Sequence, residues 1–107
     1  MAEIARCALE GFRVPCHGSI QRGHIINFTM ARGNPEVRRI LKRQPEELMV
    51  PLCEAHNVGR WSESAEGRQI LLNRNIRKFG RARMARVIDG LPWKAPKPEW
   101  TLEGMLA

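Results

Sequence analysis

An α+β fold is what this chain predicts, with a strand near the start and helices towards the end, and three observations carry the prediction. Its 107 residues are one domain's worth of chain. Apolar residues come first in a short β-branched run and later at steps of three and four, the helical period. Glycine and proline fall between those stretches and so punctuate them.

Residues 1–23 carry Cys7 and Cys16, with Gly11, Pro15 and Gly18 between or beside them, and predict a turn-rich knuckle. Residues 24–29, His-Ile-Ile-Asn-Phe-Thr, are β-branched and aromatic and predict a short strand. Gly33-Asn34-Pro35 is a break, with Asn34 as the expected N-cap and Pro35 at the first helical position. Residues 35–44 then predict a helix. Val37, Ile40 and Leu41 share one face, Arg38, Arg39, Lys42 and Arg43 lie largely on the others, and Pro45 ends it. Apolar residues from Leu48 to Leu52 lead into Cys53, near which a new helix begins.

The stretch from Ser62 to Phe79 opens with Ser-x-x-Ala-Glu, and the steps from Leu72 to Ile76 to Phe79 predict an amphipathic helix. Gly80 interrupts it. Met84, Val87 and Ile88 predict a further turn or two, closed by Gly90. Residues 91–100 hold three prolines and two tryptophans and read as an extended tail. The organisation expected is a body over residues 1–90 and a tail over 91–107.

Formal net charge is +7, which favours a polyanionic partner, nucleic acid ahead of an anionic membrane surface. No apolar run approaches the roughly 18 residues of a membrane span. The start, Met1-Ala2-Glu3, lacks a basic stretch followed by an apolar one, so a cytoplasmic setting is expected. There the three cysteines read as thiols or metal ligands rather than as disulfides.

Cys53-Glu54-Ala55-His56 is a C-x2-H pair, and Cys7 and Cys16 supply two further soft donors. Zinc takes four tetrahedral nitrogen and sulfur ligands, so Cys7, Cys16, Cys53 and His56 make a Cys3His set for a structural Zn²⁺. A small domain gains much from such a staple. His17 is the competing fourth ligand, but it directly follows Cys16 and its side chain tends to point elsewhere. The step from Cys7 to Cys16 is wider than usual, and loop entropy grows slowly enough to allow it.

The order Cys…Cys…Gly-His-Ile-Ile…Pro-Leu-Cys-x-x-His-Asn, over roughly residues 6–60, resembles the HNH, or His-Me finger, nucleases, and within them the short prophage-encoded members. The resemblance implies a ββα-metal, treble-clef-like centre in which zinc is bound around a β-hairpin and helix. It implies that His24 is the general base that activates water against a phosphodiester of DNA, a task for which imidazole is suited near pH 7. It implies that Asn57 ligates a catalytic Mg²⁺ or Mn²⁺ through its amide oxygen. The implied setting is the cytoplasm of a bacterial or phage-infected cell. Three positions depart from the pattern. Gly23 stands where many members have a metal-binding Asp, His56 replaces a Cys, and Glu47 lies near the place of the middle Asn. Glu46, Glu47 or Glu54 would have to supply the missing carboxylate.

Between Gly67 and Ile88 there are seven basic residues and no acidic one: Arg68, Arg74, Arg77, Lys78, Arg81, Arg83 and Arg86. A run of one sign at this density predicts a phosphate-binding surface, and arginine forks suit phosphate oxygens. No base-reading pattern accompanies it, so weak sequence preference is expected. Trp93 and Trp100 could stack on bases but more readily pack the tail onto the body or onto a protein partner. The expected function is metal-dependent endonuclease activity on DNA. The rivals are a zinc-containing binding module that has lost catalysis and an interaction protein that docks through its tail.

Overall fold

The computed structural model describes residues 6–107. Its only sheet among those residues has two antiparallel strands, β1 (Ile20–His24) and β2 (Met49–Cys53), in a register that sets Ile20 opposite Cys53 and His24 opposite Met49. The helices are α1 (Pro35–Lys42), α2 (Glu54–Val58), α3 (Ala65–Phe79), α4 (Arg81–Asp89) and α5 (Leu102–Leu106), with short 3-10 turns at Glu46–Leu48, Trp61–Glu63 and Pro98–Trp100. The expected α+β class is the observed one.

The strand lies earlier than the composition of residues 24–29 suggests. His24 ends β1 rather than starting a strand, and Ile25 and Ile26 leave the sheet to sit fully buried in the core. Their β-branched shape serves packing here, and strand pairing goes to the residues that face Met49–Cys53. β2 itself is the apolar stretch expected to lead into Cys53, with Met49, Val50, Leu52 and Cys53 all buried.

The helices follow the expected punctuation. α1 buries Val37 and Leu41 and stops at Lys42, short of residue 44. Gln44 precedes proline, which disfavours the right-handed helical region, and it takes φ +52°. α3 begins with the Ser64 hydroxyl accepting from the Gly67 N–H at 3.0 Å. Gly80, at φ +89°, turns the chain directly from α3 into α4. Inside α3 the fully buried Asn75 donates to the carbonyls of Glu47 and Met49 at 2.9 and 3.1 Å and so pins the helix to the start of β2.

Two expectations need correction. The extended stretch expected over residues 91–100 ends in a 3-10 turn at Pro98–Trp100, and the tail then continues into α5, which packs on both α3 and α4. Leu91, Trp93, Leu102 and Met105 belong to the same buried cluster as Leu71, Leu72 and Met84. Trp93 and Trp100 pack on each other with ring centroids 4.4 Å apart. Apolar spacing at only two positions, Leu102 and Met105, was too sparse to announce a helix. Asn34, in turn, precedes α1 without capping it through its side chain. Its amide instead donates to the Arg32 carbonyl at 3.2 Å and accepts the Lys94 backbone N–H at 2.9 Å, holding the C-terminal stretch against the start of α1. Asn34→Ala should therefore lower stability by about 1–2 kcal/mol, the worth of the two part-buried hydrogen bonds it makes. Thermal unfolding checks this, and an unchanged midpoint would show the clip to be idle.

Candidate metal centre and the adjoining pocket

Backbone pairing brings four distant ligands together. The Ala8 N–H donates to the Pro51 carbonyl at 2.8 Å, which lays the first knuckle along the outer edge of β2 and places Cys7 beside Cys53. The Ala55 N–H donates to the His17 carbonyl at 3.0 Å, which draws Cys16 to the start of α2. Cys53 closes β2 and caps α2, its sulfur accepting from the His56 N–H at 3.5 Å. One helical turn on, His56 is fully buried.

The donor atoms of Cys7, Cys16, Cys53 and His56 all lie within 4.8 Å of one another, so these four residues can hold a metal ion. The tautomer of His56 supports this use. Its Nε2 lies 2.8 Å from the Phe12 carbonyl oxygen, which can only accept, so Nε2 carries the hydrogen and Nδ1 the lone pair. Three sulfurs surround that lone pair, at 3.1 Å (Cys53), 3.5 Å (Cys7) and 3.7 Å (Cys16). One lone pair cannot serve three thiols as a hydrogen-bond acceptor, whereas one cation at the centre serves all four donors. Usual zinc bond lengths in a tetrahedron put such nitrogen–sulfur edges at roughly 3.6 Å.

The thiols are unequal. Burial opposes ionisation of Cys53, yet the backbone N–H groups of His56 and His17, the His56 ring and the Cys16 thiol draw it down to about 6. Cys16 is exposed, yet desolvation of its sulfur against the cluster, hydrogen bonding to Cys53 and Cys7 and the charge on those sulfurs push it up to about 11. The first thiolate therefore resists the next, and a divalent cation removes that resistance. His17, the competing ligand, is exposed and lies outside the cluster.

At the other end of the sheet a hollow of about 130 Å³ is lined by His24 and Asn57 together with Asn27, Arg60 and Glu63, among others. His24 Nε2 lies 2.9 Å from the Leu41 carbonyl, which fixes the hydrogen on Nε2 and leaves the lone pair on Nδ1 of the neutral ring. Phe28 packs on the imidazole with centroids 5.1 Å apart. Asn57 donates to Gln21 Oε1 at 2.7 Å. Its Oδ1 lies 3.4 Å from where a Cβ at position 23 would stand.

Gly23 is more than a missing acid. A Cβ there would come within 2.4 Å of Leu52 Cδ1, so the core fills the place where a longer side chain would start. Gly23→Ala should cost about 1–3 kcal/mol as Leu52, fully buried, is forced from its position. Denaturant unfolding measures it, and a neutral result would mean that Leu52 moves aside freely.

The carboxylate beside His24 and Asn57 is Glu63, which the sequence reading missed along with Asn27 and Arg60. Glu63 accepts from Asn27 at 2.8 Å and pairs with Arg60 at 2.7 Å. Its only signal was a place just ahead of the Ser64 cap, which says nothing about a pocket. Glu47 lies elsewhere, paired with Arg83 at 2.8 Å. Its own backbone N–H lowers its carboxyl below the ordinary range, partial burial opposes this, and Arg83 adds to the lowering. Glu46 also binds Arg83, and Glu54 packs against Gly18.

A Mg²⁺ or Mn²⁺ ion needs hard oxygen donors, and the lining of this hollow includes the Asn57 amide oxygen and the Glu63 carboxylate. Magnesium commonly takes one or two protein carboxylates and completes its shell with water and substrate phosphates, so the set fits in kind.

The seven basic residues are not equally free. Arg68 and Arg74 are half-buried, and burial lowers the pKa of each. Arg81 pairs with Glu103, and Arg83 with Glu46 and Glu47. Arg77, Lys78 and Arg86 are exposed and have no carboxylate partner among the described residues. The run looked uniform because its acids come from distant segments. No helix among the described residues is long and apolar enough to cross a membrane. Comparison of the chain with family models, curated proteins and solved structures returned no match.

Proposed function

We propose that this chain is a zinc-stapled endonuclease domain of the HNH type, hydrolysing phosphodiester bonds of DNA. The observation that carries the reading is the fixed imidazole of His24. It sits at one end of a two-stranded sheet, shares a hollow with Asn57, and is oriented by the Leu41 carbonyl. The Cys3His cluster closes the other end of the same sheet. Zn²⁺ is the ion its chemistry favours, because three soft sulfurs and one imidazole are the donor types of structural zinc sites.

In this mechanism His24 Nδ1 takes a proton from water as the water oxygen bonds to phosphorus and the bond to the leaving sugar oxygen breaks. Arg60, on the rim of the hollow, faces the negative charge of the phosphate. A divalent ion held by Asn57, Glu63 and phosphate oxygens would supply further stabilisation of that charge. Asn27 and Arg60 hold the Glu63 carboxylate ready, while Gln21 holds the Asn57 amide.

The second reading is a binding module without catalysis. It is favoured by Leu52 occupying the space beside Gly23 and by the engagement of Glu63 with Arg60. Incubation of the zinc-loaded protein with supercoiled plasmid and with single-stranded DNA, in Mg²⁺, in Mn²⁺ or with no divalent ion added beyond its zinc, separates the two. The nuclease nicks only with the divalent ion present. Salt-sensitive retention of DNA without cleavage under every condition would sink the nuclease and leave the binding module.

A further inference from the structure

A second concavity, of about 520 Å³, lies over the two strands and shares no lining residue with the His24 hollow. Val50 and Pro51 form part of its floor, and its cations are Arg6, Arg22, Arg74 and Lys78. They come from three segments: the first knuckle, β1, and positions one helical turn apart on α3. The one acid lining the groove is Glu46, which is already paired with Arg83 at 2.7 Å. None of the groove's four cations meets a carboxylate among the described residues.

Such a site is electrostatically incomplete. Burial disfavours the charge on Arg74, and Arg77 adds repulsion. An incoming anion relieves both. Three of the four cations are exposed and stand on separate segments, which suits a succession of phosphates better than one small buried anion. No aromatic residue lines the groove. Single-strand binders gain about 1–3 kcal/mol for each base stacked on an aromatic ring, and nothing here offers that.

We infer that this groove binds the phosphate backbone of a nucleic-acid duplex through Arg6, Arg22, Arg74 and Lys78. The inference rests on the reading of the chain as one that acts on nucleic acid, and it keeps only Arg74 and Lys78 of the seven-residue helical run, joining them to Arg6 and Arg22. Phosphate contact without base readout makes binding salt-dependent and tolerant of sequence.

The test uses the full, zinc-loaded chain with no other divalent ion, and fluorescence anisotropy of a labelled 20-base-pair duplex over a series of salt concentrations. Arg22→Ala and Lys78→Ala are the variants, with circular dichroism to confirm their fold. Each should weaken binding at low salt and flatten the dependence of log K on log salt by about one. Arg13→Ala and Arg39→Ala, which remove equal charge from ion-paired sites, should keep the wild-type slope. Single-stranded DNA of the same length should bind less tightly. Wild-type slopes in both groove variants would overturn the inference. So would single strands binding as well as duplex, or anionic phosphatidylserine vesicles binding where duplex does not. Cleavage is scored separately: duplex binding without cleavage removes the nuclease and keeps the groove, and cleavage with unchanged binding in both variants does the reverse.

Discussion

Cys53→Ala is expected to leave a chain that neither retains zinc nor unfolds cooperatively like the parent. Structural zinc contributes apparent free energies of about 10–16 kcal/mol in small zinc domains, and a whole domain of ordinary size is stable by only about 5–15 kcal/mol. The first quantity matches the second, so losing the site cannot be absorbed. Cys53 is also the ligand with the most local duties. It ends β2, caps α2 and lies nearest His56 Nδ1, at 3.1 Å. The damage should centre on the knuckle, where a metal held by this set would tie Cys7 and Cys16 to Cys53 and His56. Elemental analysis should give one zinc per parent chain and none in the variant, and the thermal transition should broaden or vanish. An unchanged melting curve would show the cluster to be a set of packed thiols. EDTA treatment of the parent should reproduce the variant.

His24→Ala is expected to abolish cleavage while leaving the fold in place. A positioned general base contributes about 10²–10⁴-fold to rate, so loss on that scale is the signature. The stability cost should stay near 0.5–1.5 kcal/mol, the worth of one hydrogen bond. The Leu41 carbonyl is not orphaned by the change, because the Gln44 N–H also reaches it at 3.0 Å. The variant should therefore melt close to the parent and bind duplex equally well. Cleavage retained at the parent rate would remove His24 from the mechanism.

Much of this was legible in the chain, for identifiable reasons. The metal set could be read because few residue types bind soft ions and because C-x2-H places two donors on one helical turn. Pro35, Pro45, Gly80 and Gly90 marked helix ends because they restrict or free the backbone wherever they occur. What could not be read depends on contacts between distant segments. Ile25 and Ile26 have the shape of strand residues, but pairing with Met49–Cys53 selected Ile20–His24 instead. The Asn34 side chain is taken by Lys94, sixty positions on, so its capping expectation failed for a reason outside its own neighbourhood. Arg81 and Arg83 looked unopposed until Glu103, Glu46 and Glu47 met them across the fold. Glu63 entered the hollow only because α2 and the turn after it carry it there.

The packing of residues 91–107 bears on how this molecule can be dissected. Stopping the chain at Gly90 would strip Leu91, Trp93, Leu102 and Met105 from the core and bare the apolar sides of α3 and α4. A truncated protein that failed to bind some partner would be reporting its own collapse rather than a missing contact surface. The informative probes are single substitutions on the outward side of this segment, at Lys94 or Glu99, whose side chains are exposed.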